Sequence, residues 1–431
     1  MNALADFIIN SLGLSGLSAE LVMLLLVVAV AAAVFGIGMT ISGLLTLAER
    51  RVAGRIQSRI GPNRVGPFGL LQWLVDGLKL IMKEDVVPHD ADPHMFRMAP
   101  YLVVVGVFAA FASLPFGQLL IASDLNVGIL YLLAITSLVT VGVLMSGWAS
   151  NNKWSMIGGI RAAAQIVSYE IPTALSVASI ILISGTLSMQ GIINEQGGWP
   201  WQWYIFYNPF TFAVFFLYFT AALAEGNRIP FDLPEAESEL VSGYNTEYSG
   251  MRFAGFFLAE FANIYLMSAI ATTLFFGGWQ IPGVTPEQQA GSLVLQITGM
   301  VVFMSKSAVG CFVVIWIRWT LPRLRIDQLM SLCYKYLIPL SFVCLGGNAI
   351  YLLIFPKPSS ANTLVHMITT LFGGVLIVIF VTRVMYHHRI SGVSLDLNFL
   401  ARGEKGKYNP ETQVRAYGSF RKKYEKKQGA K

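Results

Sequence analysis

From Leu21 to Ala48 the chain carries no charged side chain. About 20 apolar residues suffice to cross the hydrocarbon core of a bilayer as a helix, and a helix satisfies its backbone polar groups within one segment, as lipid requires. Further apolar runs of similar length follow. Nine spans are therefore predicted, at about 21–47, 98–121, 126–148, 166–187, 203–225, 252–277, 294–318, 334–356 and 362–386. With 55% of residues hydrophobic, the expected fold class is all-α, a polytopic transmembrane helical protein of about nine helices plus one in-plane amphipathic helix. A soluble multidomain chain is excluded. Asp6 and Glu20 precede the first span without any Arg or Lys, which reads as neither a cleaved signal peptide nor a transit peptide.

Charge orients the spans. If Met1 lies outside, all of the 30 Lys and Arg except Lys306, inside a span, and Lys357 fall on the inner side, a strong positive-inside pattern. The expected location is a bacterial inner membrane with the C-terminus cytoplasmic, ahead of a mitochondrial inner membrane. Two regions are expected, a transmembrane domain over 1–390 and a basic tail over 391–431. The tail holds the whole formal excess of +6 and reads as a solvated anchor for anionic lipid or an acidic partner. It follows a span and lacks a nucleic-acid-binding fold, so nucleic acid is not an expected partner.

The first inner loop differs from the rest. Over about 67–84, Gln72, Asp76, Lys79 and Lys83 recur at helical spacing while Phe68, Leu71, Trp73, Leu74, Leu78 and Ile81 occupy the remaining face. That pattern predicts a helix lying in the interface plane, either a plain brace or a lintel over a side entrance for a lipid-like molecule. Arg55, Arg59 and Arg64 just before it could hold a carboxylate or another subunit, or be ordinary inner-side charges.

Acids gather at one inner edge. The loop 226–251 and its border hold Glu225, Asp232, Glu235, Glu237, Glu239 and Glu247 around Arg228. Crowded carboxylates repel one another and burial disfavours their charged form, so the cluster points to proton exchange near neutral pH. Asp232 and Glu235 also resemble a capping pair for a helix that Gly243 would end. Glu235 and Glu239, four apart, share a face at a cost unless one is protonated or both meet Arg228. Glu49, Glu170 and Glu225 stand at span ends, where a carboxylate is functional or merely wet. Glu260 lies eight residues past Arg252, about 12 Å into the sixth span at ~1.5 Å per residue, where an ionisable group is costly and a functional candidate. Lys306 has the same standing, unless its stem snorkels.

A redox centre is not expected in this chain. Cys311, Cys333 and Cys344 are scattered in apolar surroundings without metal-ligand spacing and read as packing. His366 is the one histidine expected within a span, His89 and His94 lie in a loop, and His387 and His388 lie at the last inner boundary, so a bis-histidine haem is not supported. No phosphate-cradling glycine motif appears. Neither a metal site nor a catalytic residue is predicted.

Four phrases in order, LAERRVAGRIQSRIGPNRVGPFGLLQWLVDGLKLIMKED, IRAAAQIVSYEIP, AEGNRIPFDLPEAESELVSGYNTEYSG and IRWTLPRLRIDQLM, closely resemble the quinone-site membrane subunit of respiratory complex I. This is the H-type subunit family of NADH-quinone oxidoreductase. The likeness covers about residues 20–350. It implies a translocase subunit that lines a cavity for quinone as bound substrate and couples its reduction to proton translocation. Glu49, Arg50, Arg59, Arg64, Asp76 and Lys79 would flank the cavity and its entrance. Glu170, Glu225, Arg228, Asp232, Glu235, Glu237, Glu239, Glu247 and Glu260 would form the acidic path. Implied partners are the iron-sulfur subunit with the terminal cluster, the hydrophilic quinone-site subunits and the antiporter-side membrane subunits, with FMN and iron-sulfur clusters on those chains. The ninth span and the tail exceed the shorter family members. Two alternatives remain: the equivalent anchor of a membrane-bound hydrogenase or non-NADH dehydrogenase, and a stand-alone cation/proton antiporter.

Overall fold

A computed structural model describes residues 19–234, 237–356 and 360–391. The helices are α1 (Ala19–Ile56), α2 (Gln72–Ile81), α3 (Pro93–Ala110), α4 (Gly128–Ala149), α5 (Lys153–Ser184), α6 (Met189–Glu195) and α7 (Pro209–Glu225). They continue with α8 (Glu237–Leu240), α9 (Gly250–Phe275), α10 (Pro286–Gly291), α11 (Leu293–Thr320), α12 (Ile326–Leu332), α13 (Ile338–Ile354) and α14 (Ser360–Ser391). No strand occurs among the described residues. Among the described residues seven segments are long and apolar enough to cross a membrane, and shorter apolar helices lie at Pro209–Glu225 and Leu364–Leu376. The chain is a polytopic all-α membrane protein. By its internal contacts it divides into Met1–Leu371 and Phe372–Lys431; the described part of the second unit, 372–391, is helical, and the remainder of the predicted tail lies outside the described residues.

Local chemistry sets the helix starts. Asp92 accepts from the amides of His94 and Met95 ahead of Pro93, which starts the second span at 93 rather than near 98. This side-chain acceptor and the ring's fixed φ define a first turn that hydropathy does not register. Asn152 caps α5 and Asn208 caps α7 in the same way. The in-plane helix is shorter than the predicted 67–84. Pro67–Gly69 forms a tight turn with Phe68 at φ 54°, and regular helix begins only at Gln72.

Within the first unit, α9 is the most enclosed span, with 67% of its apolar window buried against 11% for α1. It packs on α3, α11, α1 and the in-plane helix α2. Trp73 of α2 lies so close on Gly43 of α1 that a Cβ there would overlap the indole ring. The in-plane helix is thereby seated on the end of the first span that carries Glu49, while Leu74, Leu78 and Ile81 stay exposed.

Lys306 sits in the interior of α11. Its ammonium donates to the carbonyls of Phe276 (2.8 Å) and Gly278 (2.9 Å) just past α9, 4.9 Å from the centre of the Trp203 ring. Carbonyls at a helix end lack intrahelical partners, so the cation closes that end. Lys306→Met should lower the stability of the solubilised protein by about 2 kcal/mol, the order of cost of stranding buried acceptors. A thermal melt reads the change.

Candidate functional site

The acid-rich segment begins with a turn at the C-terminal end of α7. Asn227 takes a left-handed φ of 49°, the Arg228 amide returns to the Leu223 carbonyl (3.3 Å), and the Pro230 carbonyl accepts from the Leu324 amide (3.0 Å). Arg228 is thereby turned inward and is 1% exposed. Its Nη1 lies 3.4 Å from Glu49 and its Nη2 3.1 Å from Glu260, while the guanidinium carbon is 4.5 Å from the centre of the Phe261 ring. Arg318 adds a 2.5 Å contact to the other oxygen of Glu49.

Two acids and two arginines from α1, the 226–231 turn, α9 and α11 thus form one interior network. Among the described residues these four formal charges balance, which lowers the cost of holding them out of water. A guanidinium forked between two carboxylates also has a geometry that an ammonium cannot reproduce.

The remaining acids are divided among partners that lie far away in sequence. Asp232 meets Arg323 at 3.2 Å. Glu239, exposed, meets Arg161 of α5 at 2.6 Å. Glu247 accepts from the Asn152 side chain at 2.6 Å. Of the two ways left open for the Glu235 and Glu239 pair, a meeting of Glu239 with Arg228 is not the one found: α5 and the α11–α12 connection bring their own donors to Glu239, Glu247 and Asp232. Helix α8 spans Glu237–Leu240 and ends three residues before Gly243, Val241 taking the left-handed conformation at φ 64°. Glu235 and the side chain of Glu237 lie outside the described residues.

Glu225 and Glu170 face a different setting. They stand on α7 and α5, near enough to repel each other. Glu225 lines a small cavity together with Thr136, Thr173, Tyr218 and Asn263. One oxygen of Glu170 is buried without a partner among the described residues. At the edge of the loop, Tyr248 stacks on Phe96 at 4.1 Å and donates to that residue's carbonyl. Burial holds its phenol well above the ordinary value, so it remains a neutral donor.

The predicted entrance residues have another character. Arg50 pairs with Asp76, which also accepts from Gln72 at 2.9 Å, and this pair joins the end of α1 to the in-plane helix. Arg59, Arg64 and Lys79 are exposed. Glu49 and Arg50, adjacent in sequence, therefore point opposite ways, one into the buried network and one toward the in-plane helix. Among the described residues no group of three or more His, Cys, Asp or Glu is arranged to hold a metal ion.

Sequence reasoning leaves Arg318, Arg323, Arg161 and Gln165 outside the candidate site. The first three count there only as inner-side charges. Gln165, in IRAAAQIVSYEIP, has no charge to mark it. Its side-chain amide donates to the carbonyls of Ala224 (2.7 Å) and Phe231 (2.7 Å) and to Asn227 Oδ1 (3.1 Å).

Residues 22–348 match the family model described as NADH dehydrogenase. The chain is 55% identical over 336 residues to the H-type subunit of NADH-quinone oxidoreductase from Anaeromyxobacter dehalogenans, covering 75% of this chain and 81% of that protein. It is 47% identical to the protein of the same name in Chlorobium luteolum, covering 72% of this chain and 84% of that one. For Dehalococcoides mccartyi the identity is 46%, with 76% and 88% covered. The matched span contains Glu49, Arg228, Glu260 and Arg318, and with this coverage the chain belongs to the family of H-type subunits of NADH-quinone oxidoreductase.

Proposed function

We propose that this chain is the membrane subunit of a proton-translocating NADH-quinone oxidoreductase, that it lines part of the quinone cavity, and that its buried carboxylates couple quinone reduction to proton movement. The observation that carries this reading is the interior network of Glu49, Arg228, Glu260 and Arg318. A stability role alone is a weak reason for such a network, since well-packed apolar residues often serve as well. Its arginines stay charged, so any charge or proton gained nearby redistributes between Glu49 and Glu260.

Glu225 and Glu170 would extend the path along the membrane interior, with Asp232, Glu235, Glu237, Glu239 and Glu247 at the inner edge. Arg50, Asp76 and the exposed apolar side of the in-plane helix would frame the entrance, where a lipid-soluble quinone meets Leu74, Leu78 and Ile81. Arg59, Arg64 and Lys79 would meet the hydrophilic subunits, and Lys306 would act as the intramembrane cation. Partner chains would supply FMN and the iron-sulfur clusters, and the subunit would sit in a bacterial inner membrane with its N-terminus outside. Anionic lipid would meet the basic tail.

Glu260→Gln and Glu235→Gln test this in the assembled complex. Each should lower quinone-linked turnover or pumping by about tenfold, the loss expected from ~1.4 kcal/mol of barrier, while the complex still assembles. Native coupled activity in both variants would remove the assigned roles. Reconstituted by itself the chain should exchange no ions; cation/proton exchange by the lone subunit would favour an antiporter instead.

A further inference from the structure

We infer that Gln165 is the positioning residue that holds Arg228 between Glu49 and Glu260; this rests on the role proposed above for Arg228. Gln165 is 1% exposed and reaches from α5 into the turn that presents the arginine. Its amide nitrogen ties together a carbonyl four residues before Arg228 and another three residues after it, with the intervening Asn227 side chain as third acceptor. Both ends of the turn therefore converge on one NH2 group.

The chemistry fixes the amide's orientation. Backbone carbonyls only accept, so the NH2 must face Ala224 and Phe231. The opposite end, Oε1, is buried with no partner among the described residues. A buried orphan acceptor is costly, and here it accompanies two short donor contacts, so the site requires the donor. The same helix face carries Arg161, which holds Glu239, and Tyr169, whose hydroxyl donates to the Leu329 carbonyl at 2.9 Å and whose ring lies 5.7 Å from that of Phe231. Spaced by four residues, these three side chains make α5 the template on which the inner turn is laid.

The discriminating variant is Gln165→Glu, which keeps the shape and changes the donor. A neutral carboxyl can still donate once to this ring of acceptors, whereas an ionised one repels all three. Quinone-reductase turnover of the intact complex should stay near the native level at acid pH. It should fall by about tenfold as the introduced group ionises, an effect on the scale of ~1.4 kcal/mol. Gln165→Leu should be low at every pH. Combined with Arg228→Lys, Gln165→Leu should cost little beyond Arg228→Lys alone, since both disturb one element.

Native turnover in Gln165→Leu, beside an impaired Arg228→Lys, would overturn the positioning role and leave the functional reading intact. Native turnover in Arg228→Lys would overturn that functional reading and the positioning role with it. Failure of both Gln165 variants to assemble at any pH would also overturn the inference, because the residue would then hold the whole fold rather than the arginine.

Discussion

Arg228→Leu is expected to abolish quinone-linked pumping and to reduce the amount of assembled complex. The side chain is almost fully enclosed, and its loss takes from Glu260 the guanidinium 3.1 Å away while Glu49 retains Arg318. Removing one partner of a buried ion pair costs about 3–5 kcal/mol, most of it the penalty of the charge left behind. Arg228→Lys keeps the charge but loses both the fork and the contact with the Phe261 ring, and should fall by about tenfold in turnover. Adding Glu260→Gln to Arg228→Leu should recover part of the assembly without recovering pumping, because the carboxylate that faced the guanidinium at 3.1 Å is then a neutral amide while the coupling group is gone too. Native gels and proton-pumping assays on membranes separate these outcomes. An Arg228→Leu complex that pumps at the native rate would remove the network from the mechanism.

Gly158→Val is expected to displace the loop around Gly243 from α5. A Cβ at Gly158 would stand 2.8 Å from the Gly243 Cα and 2.8 Å from the Tyr244 amide nitrogen. Both atoms are backbone, so no rotamer change relieves the overlap, and overpacking of this kind costs about 1–3 kcal/mol or more. The loop held there carries Glu247 against Asn152 and Tyr248 against Phe96. Limited proteolysis should cut between residues 226 and 251 sooner in this variant, and coupled activity should fall with it. Gly346→Ala, where a Cβ meets nothing within 4 Å, serves as the control and should behave as the native protein does. Equal cleavage rates in the two variants would show that the close approach is not what seats the loop.

Length and apolarity made the spans legible: nine predicted runs correspond in order to the seven long segments and two shorter apolar helices, but the fourth begins at Lys153 rather than near 166, which puts Glu170 within a span instead of at its end. The in-plane helix was legible from its polar stripe, since Gln72 and Asp76 do bond at a spacing of four. Its start was not, because the Pro67–Gly69 turn interrupts an apolar pattern that reads as continuous. In the acid-rich loop, composition revealed an excess of carboxylates and offered only Arg228 to neutralise it.

The sequence by itself determined that this chain lives in lipid, and that acids are concentrated in one connection between two of its apolar segments. Those properties are local, set by hydropathy along single segments and by counts of charge. Only the tertiary structure decided which charges meet. Glu49 and Arg318 lie 269 residues apart and Glu49 and Arg228 lie 179 apart, and no spacing rule links residues on different helices. Their meeting follows from the packing of α1 and α11 around α9, where each buried charge is stable only beside the partner that packing brings to it.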